Sequence, residues 1–116
     1  MKYLKEAPFM AINGSQFQVI EDSGTPVPAT VGRVTRLCLE RYQPQQGKML
    51  DTGDLRWLNK AIDKLVADVP GDGYFAFEQI EFEIVRRVVG WMAPVLIVRN
   101  APALDDALNQ ASETRP

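Results

Sequence analysis

Hydrophobic and polar positions do not follow one pattern over the first thirty residues. Residues 1–8 carry no regular spacing, so we expect them to form a flexible arm. The segment "FMAINGSQFQVIED" contains two short strand-like stretches around Asn13-Gly14, a dipeptide typical of two-residue β-hairpin turns. In its second stretch, Phe17 and Val19 share one face. The pattern therefore predicts an N-terminal β-hairpin.

The next segment, "SGTPVPAT", is predicted to be extended but not regularly paired, because a proline nitrogen has no hydrogen to donate. Helical spacing then begins, with Thr30 as the predicted N-cap and an end before Pro44. Asp51 or Thr52 can cap a second helix. Its predicted apolar stripe comprises Leu55, Leu58, Ile62, Leu65, Val66 and Val69.

A third helix is predicted from about Phe77 onward, with apolar residues on much of its circumference, which favours a central position. A fourth helix is predicted after Asn100, with Pro102 in its first turn. Residues 112–116 form a predicted flexible tail, and residues 9–111 a single globular domain. The fold class that follows is α+β, mostly α, with the N-terminal β-hairpin followed by a bundle of about four helices.

The uninterrupted apolar run from Trp91 to Val98 allows three interpretations. We expect most of it to be core, as a helix that Gly90 and Pro94 loosen or kink. A strand fits less well, since Pro94 would confine it to a sheet edge. A surface role for part of the run, Trp91 above all, is the remaining alternative, because tryptophan is a frequent interface anchor.

Composition narrows the class of protein. The chain has 116 residues, of which 46% are hydrophobic and 24% charged, as in ordinary globular domains. Its formal net charge of −2 argues mildly against a protein whose main role is to neutralise phosphates. One cysteine, Cys38, excludes an internal disulfide and fits a reducing compartment. No apolar stretch suits a signal peptide or a membrane span, so we expect a cytoplasmic protein without membrane contact.

Residues that carry enzyme chemistry are scarce. The absence of histidine removes the commonest general base and metal ligand. Cys38 occupies an apolar helical position, so we expect a small buried hydrophobe. Glu78, Glu81 and Glu83 are predicted to form a solvated face paired with the nearby arginines. No phosphate-binding loop is present. The sequence therefore predicts a protein that is not an enzyme and needs no metal or cofactor.

Binding residues remain as candidates. For a protein partner they are Trp57 and Trp91, as exposed aromatics, and Phe17 and Val19, on the predicted hairpin whose edge can pair with another strand. For nucleic acid, the alternative, they are Arg33, Arg36 and Arg41 on the first predicted helix. Self-association is a further alternative, since a helix that is apolar on most sides can be covered by a second copy.

Several motifs resemble those of small accessory proteins of temperate tailed bacteriophages. The motifs are "TVGRV" at residues 30–34, "LNKAIDKL" at 58–65, "FEQI" at 77–80 and the apolar stretch 94–98. The resemblance implies a phage or prophage protein in the host cytoplasm, and no settled activity. Together with the composition, it predicts a non-enzymatic accessory protein that assists virion assembly or modulates a host protein. A nucleic-acid-associated regulator is the alternative.

Overall fold

A computed structural model of the chain describes residues 1–10, 14, 18–20, 24–67 and 69–113. The fold is α+β and mostly helical, which confirms the predicted fold class. Four short strands and four α-helices are described. Their bounds are β1 (Lys2–Lys5), β2 (Gln18–Ile20), β3 (Pro26–Pro28), α1 (Val31–Glu40), α2 (Thr52–Val66), β4 (Tyr74–Phe77), α3 (Gln79–Leu96) and α4 (Ala101–Asn109), with a 3-10 turn at Val98–Asn100.

The N-terminal residues do not form the flexible arm that we expected. Strand β1 pairs with β4 in antiparallel orientation, with Leu4 opposite Phe75, and both side chains are buried. On its other side, the backbone of Tyr3 exchanges two hydrogen bonds with Ser112. The start of the predicted tail is thus held against β1. This pairing could not be predicted from local pattern, because the two strands are distant along the chain.

The second strand pair differs from the predicted hairpin. Strand β2 pairs with β3, with Val19 opposite Val27, so the proline-rich segment is part of a ladder. Bonded and non-bonded positions alternate in an antiparallel pair, so the two prolines can occupy positions that require no donor. Gly14 has a positive φ of 87°. The rest of the predicted Asn13-Gly14 turn lies outside the described residues.

Helix starts follow local capping rules, as the sequence predicted. The Thr30 hydroxyl accepts a hydrogen bond from the Arg33 amide at 3.2 Å, and α1 begins immediately after Thr30. Asp51 and Asp54 form a reciprocal capping box at the start of α2. α4 begins directly after Asn100, although the Asn100 side chain makes no capping hydrogen bond.

Helix α3 occupies the centre of the fold. It packs against α1, α2 and α4, and its buried side chains include Val85 and Val88, which are fully covered. The stripe by which α2 packs is narrower than predicted. Its buried residues are Leu58, Ala61 and Leu65, whereas Leu55, Val66 and Val69 are exposed. A helix at the edge of a bundle buries one face only, which accounts for the difference.

Helix α2 lies alongside α3. The two helices run antiparallel, since Lys64 near the end of α2 contacts Glu81, and Asp54 near its start contacts Arg87. Toward its end, α3 also lies beside the start of α4, where Val89, Ala93 and Ala101 line a shared depression.

Two helical glycines, one in α1 and one in α3, allow the packing around these helices to be tested. A Cβ on Gly32 would lie 2.6 Å from Glu6 Oε2 and 2.8 Å from Phe75 Cε2, whereas a Cβ on Gly90 would have no neighbour within 4 Å. We expect Gly32→Ala to lower the free energy of unfolding by about 1–3 kcal/mol through overpacking. Gly90→Ala should raise it by about 0.5–1 kcal/mol. Urea denaturation measures both, and equal effects would contradict the described packing.

Candidate protein-binding surface

The apolar run that begins at Trp91 is divided between core and surface. Ala93 is buried, and four more residues are half-buried and packed against the core: Trp91, Met92, Leu96 and Ile97. The expectation that most of this run is core is therefore confirmed, while Pro94, Val95 and Val98 are exposed, Val95 by 68% and Val98 by 64%. Pro94 lies inside α3, and the helix continues to Leu96.

An aromatic pair joins the end of α3 to the end of α1. The rings of Tyr42 and Trp91 are stacked, with centroids 5.9 Å apart and an interplanar angle of 27°. The Tyr42 hydroxyl donates a hydrogen bond to the Lys48 carbonyl at 3.0 Å and accepts one from the Leu50 amide, also at 3.0 Å. Tyr42 therefore fixes the loop between α1 and α2 as well as the position of Trp91.

These groups surround a small depression, which we call the Tyr42–Trp91 surface. Its lining residues are Tyr42, Gln43, Gln45, Lys48, Trp91, Met92 and Val95. The volume is about 60 Å³. Cavities that hold small-molecule ligands usually measure roughly 300–1,000 Å³, so the depression is too small for one. It has room for one apolar side chain of a larger partner.

Two neighbouring residues extend the apolar character of this region. Met49, next to Lys48 in the chain, is 62% exposed. Val98 follows the end of α3 and has a φ of +42°, in the left-handed region. A β-branched residue is disfavoured there by roughly 1–2 kcal/mol. An exposed valine in a strained conformation does not stabilise the fold. We therefore interpret Val98 as a candidate contact residue for a partner.

The other predicted protein-binding residues are placed differently. Trp57 is half-buried against the core, and the Lys60 ammonium lies 4.5 Å from the centre of its ring. Val19 is 7% exposed, so its side chain belongs to the core. Phe17 lies outside the described residues. Of the two described tryptophans, only Trp91 lines the depression.

The three arginines predicted for nucleic acid do not form one free face. Arg33 donates a hydrogen bond to the Pro28 carbonyl at 2.8 Å, and Arg36 forms an ion pair with Glu40 at 3.0 Å. Arg41 is exposed at the opposite end of α1, next to Tyr42.

The start of α1 is already occupied by a carboxylate. Glu6 accepts hydrogen bonds from the Gly32 amide at 2.8 Å and from the Thr30 hydroxyl at 3.1 Å. The same carboxylate lines a depression of about 410 Å³ together with Arg33 and Arg36. Its negative charge beside the two arginines makes this depression poorly suited to a phosphate group.

Of the three carboxylates predicted to form a solvated face, Glu78 and Glu83 are exposed, but Glu81 is not. Glu81 is fully buried, and its Oε1 accepts hydrogen bonds from the Lys64 ammonium at 2.6 Å and the Glu78 amide at 2.9 Å. The ammonium also donates to the Ala76 carbonyl. Glu81 is buried because it caps α3 on the side that packs against α2. The geometry gives it a structural role, as the charge partner of Lys64.

Burial raises the pKa of the Cys38 thiol to about 12, so the thiolate that a nucleophile requires is not formed near neutral pH. Within the described ranges, no group of three potential metal-ligating side chains is found. No helix in this part of the chain is long and apolar enough to cross a membrane.

A groove of about 480 Å³ lies between the N-terminal segment and α4. Its charged lining residues are Lys5 and Asp106, and Tyr74 and Gln110 also contribute. Met10 lines one side of the groove. The next residues of the chain, 11–13, are not among the described residues.

Replacement of Tyr42 tests whether its hydroxyl fixes the loop. We expect Tyr42→Phe to retain the ring stack but lose both hydrogen bonds, which lowers the free energy of unfolding by about 1–2 kcal/mol. The Leu50 amide should then exchange its hydrogen faster, which hydrogen–deuterium exchange detects. Unchanged protection of that amide would show that the hydroxyl does not hold the loop.

Replacement of Lys64 tests the buried ion pair. Lys64→Met leaves the Glu81 carboxylate buried without a cation, and we expect a loss of about 3 kcal/mol in the free energy of unfolding. The control is Arg56→Met on the exposed side of α2, which should change stability by less than about 0.5 kcal/mol. Addition of Glu81→Met to Lys64→Met should recover most of the loss. Equal stability of the two single variants would contradict this role.

The chain matches no protein-family model, and neither the curated proteins nor the solved structures include a match to it. The resemblance to phage accessory proteins therefore stays a prediction. The function is therefore inferred from the geometry of the Tyr42–Trp91 surface.

Proposed function

We propose that this chain is a non-enzymatic protein that acts by binding another protein through the Tyr42–Trp91 surface. The observation that carries the proposal is the exposure of Val95 beside a fixed aromatic pair. Aromatic side chains next to a pocket are typical of the residues that dominate binding energy at interfaces. Full burial of one valine by a partner contributes roughly 1.5–3 kcal/mol.

The rigidity of the surface supports this function. Tyr42 is held by two hydrogen bonds and by its stack on Trp91, and Val95 extends from a continuous helix. A surface that is ordered before binding loses less conformational entropy when the partner docks. The high pKa of Cys38 and the absence of histidine support a role in binding rather than catalysis.

The biological setting follows from the sequence resemblance. We propose an accessory protein of a phage or prophage in the host cytoplasm, whose partner is a virion component or a host protein. The nucleic-acid-associated regulator has less support, because Arg33 and Arg36 are engaged within the chain. Nuclease treatment during a capture experiment separates the two functions.

Charged substitutions at two exposed valines test the surface. Val95→Glu places a charge at the depression, whereas Val66→Glu places one on α2 at a residue that is 58% exposed. Both variants should fold, since neither side chain is buried. In affinity capture from a nuclease-treated lysate of the encoding organism, Val95→Glu should lose the proteins that wild type retains, by roughly tenfold or more, and Val66→Glu should keep them. Identical capture profiles would refute the proposed surface.

A substitution at Val98 separates binding from stability. Asparagine tolerates the left-handed conformation, so Val98→Asn should raise the free energy of unfolding by about 1 kcal/mol. The same change removes an exposed apolar side chain, so partner capture should fall. Thermal denaturation and capture measured side by side check both effects. A more stable variant with full capture would place Val98 outside the interface.

A further inference from the structure

We infer that the partner contacts the Tyr42–Trp91 surface through an acidic segment that carries one apolar anchor side chain. The inference rests on the proposed function and specifies the chemistry of the partner. Its starting point is the charge of the two segments that build the surface, residues 41–50 and 90–100.

Both segments carry positive charge only. They contain Arg41, Lys48 and Arg99 and no aspartate or glutamate. The whole chain has a formal net charge of −2, so these two segments are more positive than the chain as a whole. Glu40 and Asp51 flank the first segment, but Glu40 pairs with Arg36 and Asp51 belongs to the capping box of α2. Lys48 lines the depression itself, while Arg41 precedes Tyr42 and Arg99 follows Val98. An apolar centre with basic neighbours is complementary to an apolar side chain flanked by carboxylates.

Three cations of these segments are not neutralised by the part of the chain that the structure describes. Arg41, Lys48 and Arg99 form no ion pair with any residue in the described ranges. By contrast, Arg36, Arg86 and Arg87 pair with carboxylates on neighbouring turns or helices. Cations without an ion pair among the described residues are available to carboxylates of a second molecule.

The shape and composition of the surface favour an acidic protein segment over a nucleic acid or an anionic membrane. Its centre is the stacked Tyr42–Trp91 pair, and the depression accepts a single side chain. Three cations are few for a nucleic-acid backbone, which proteins commonly contact through 6–10 phosphates. An anionic membrane would need protruding anchors, whereas Trp91 is half-buried and held flat against Tyr42. An acidic peptide segment uses both the apolar centre and the cations.

Photo-crosslinking from position 95 identifies the chemistry of the partner segment directly. Val95 is replaced by the photo-crosslinking amino acid p-benzoylphenylalanine, and a second protein carries the same group at Val66 as a control. Each is irradiated in a lysate of the encoding organism at low and high salt, and crosslinked peptides are sequenced by mass spectrometry. The position 95 protein is also prepared with Arg41→Glu, Lys48→Glu and Arg99→Glu.

We expect position 95 to crosslink to a protein segment rich in aspartate and glutamate, with no such product from position 66. The charge-reversed variant should lower the yield by roughly tenfold, and high salt should lower it as well. Crosslinks to a neutral or basic protein segment, or a yield unchanged by charge reversal, would overturn this inference and leave the proposed function standing. Crosslinks to RNA, to lipid, or to nothing specific would overturn both. Crosslinks to an acidic segment of a second copy would identify the partner as the chain itself.

Discussion

The contact of α3 with three other helices is the interaction on which the rest of the structure depends. Val85 and Val88 are fully buried in this contact, so α3 provides the inner wall for α1, α2 and α4. Helix α3 spans 18 residues, whereas α1 spans 10 and α4 spans 9. At 1.5 Å per residue, α3 is about 27 Å long, so its short neighbours cannot cover it along its whole length.

The last turns of α3 carry the exposed Val95. There Trp91 stacks on Tyr42, and the neighbouring side of the helix lies beside the start of α4. Tyr42 also holds the loop before α2 through its hydroxyl. One residue therefore links the end of α1, the loop and the end of α3. The result is an ordered surface that exposes Val95 instead of burying it.

Local rules account for the parts of the structure that the sequence predicted. Thr30 and Asp51 cap their helices through contacts within three residues, so the pattern alone locates α1 and α2. The fold class follows from the spacing of the apolar positions. The pairing of β1 with β4 was not predicted, because it joins segments far apart in the chain and depends on burial that only the folded protein shows.

The candidate site was predicted only in part. Trp91 was recognised as an interface candidate, but the exposure of Val95 depends on which neighbours reach α3, and an apolar run carries no such information. Glu81 was predicted to be solvated because its partner Lys64 lies on another helix. Its position three residues after Glu78, within a capping box, was a signal that it faces the helix start.

The most direct test of the account is the hydrogen-exchange footprint of the captured partner on the whole chain. The account predicts slower amide exchange upon binding in residues 42–50 and 91–100, with little change in α2. Both segments should respond together, since Tyr42 and Trp91 form one stacked pair. Protection confined to α2, or to the groove between the N-terminal segment and α4, would show that the partner binds elsewhere and would contradict the central claim.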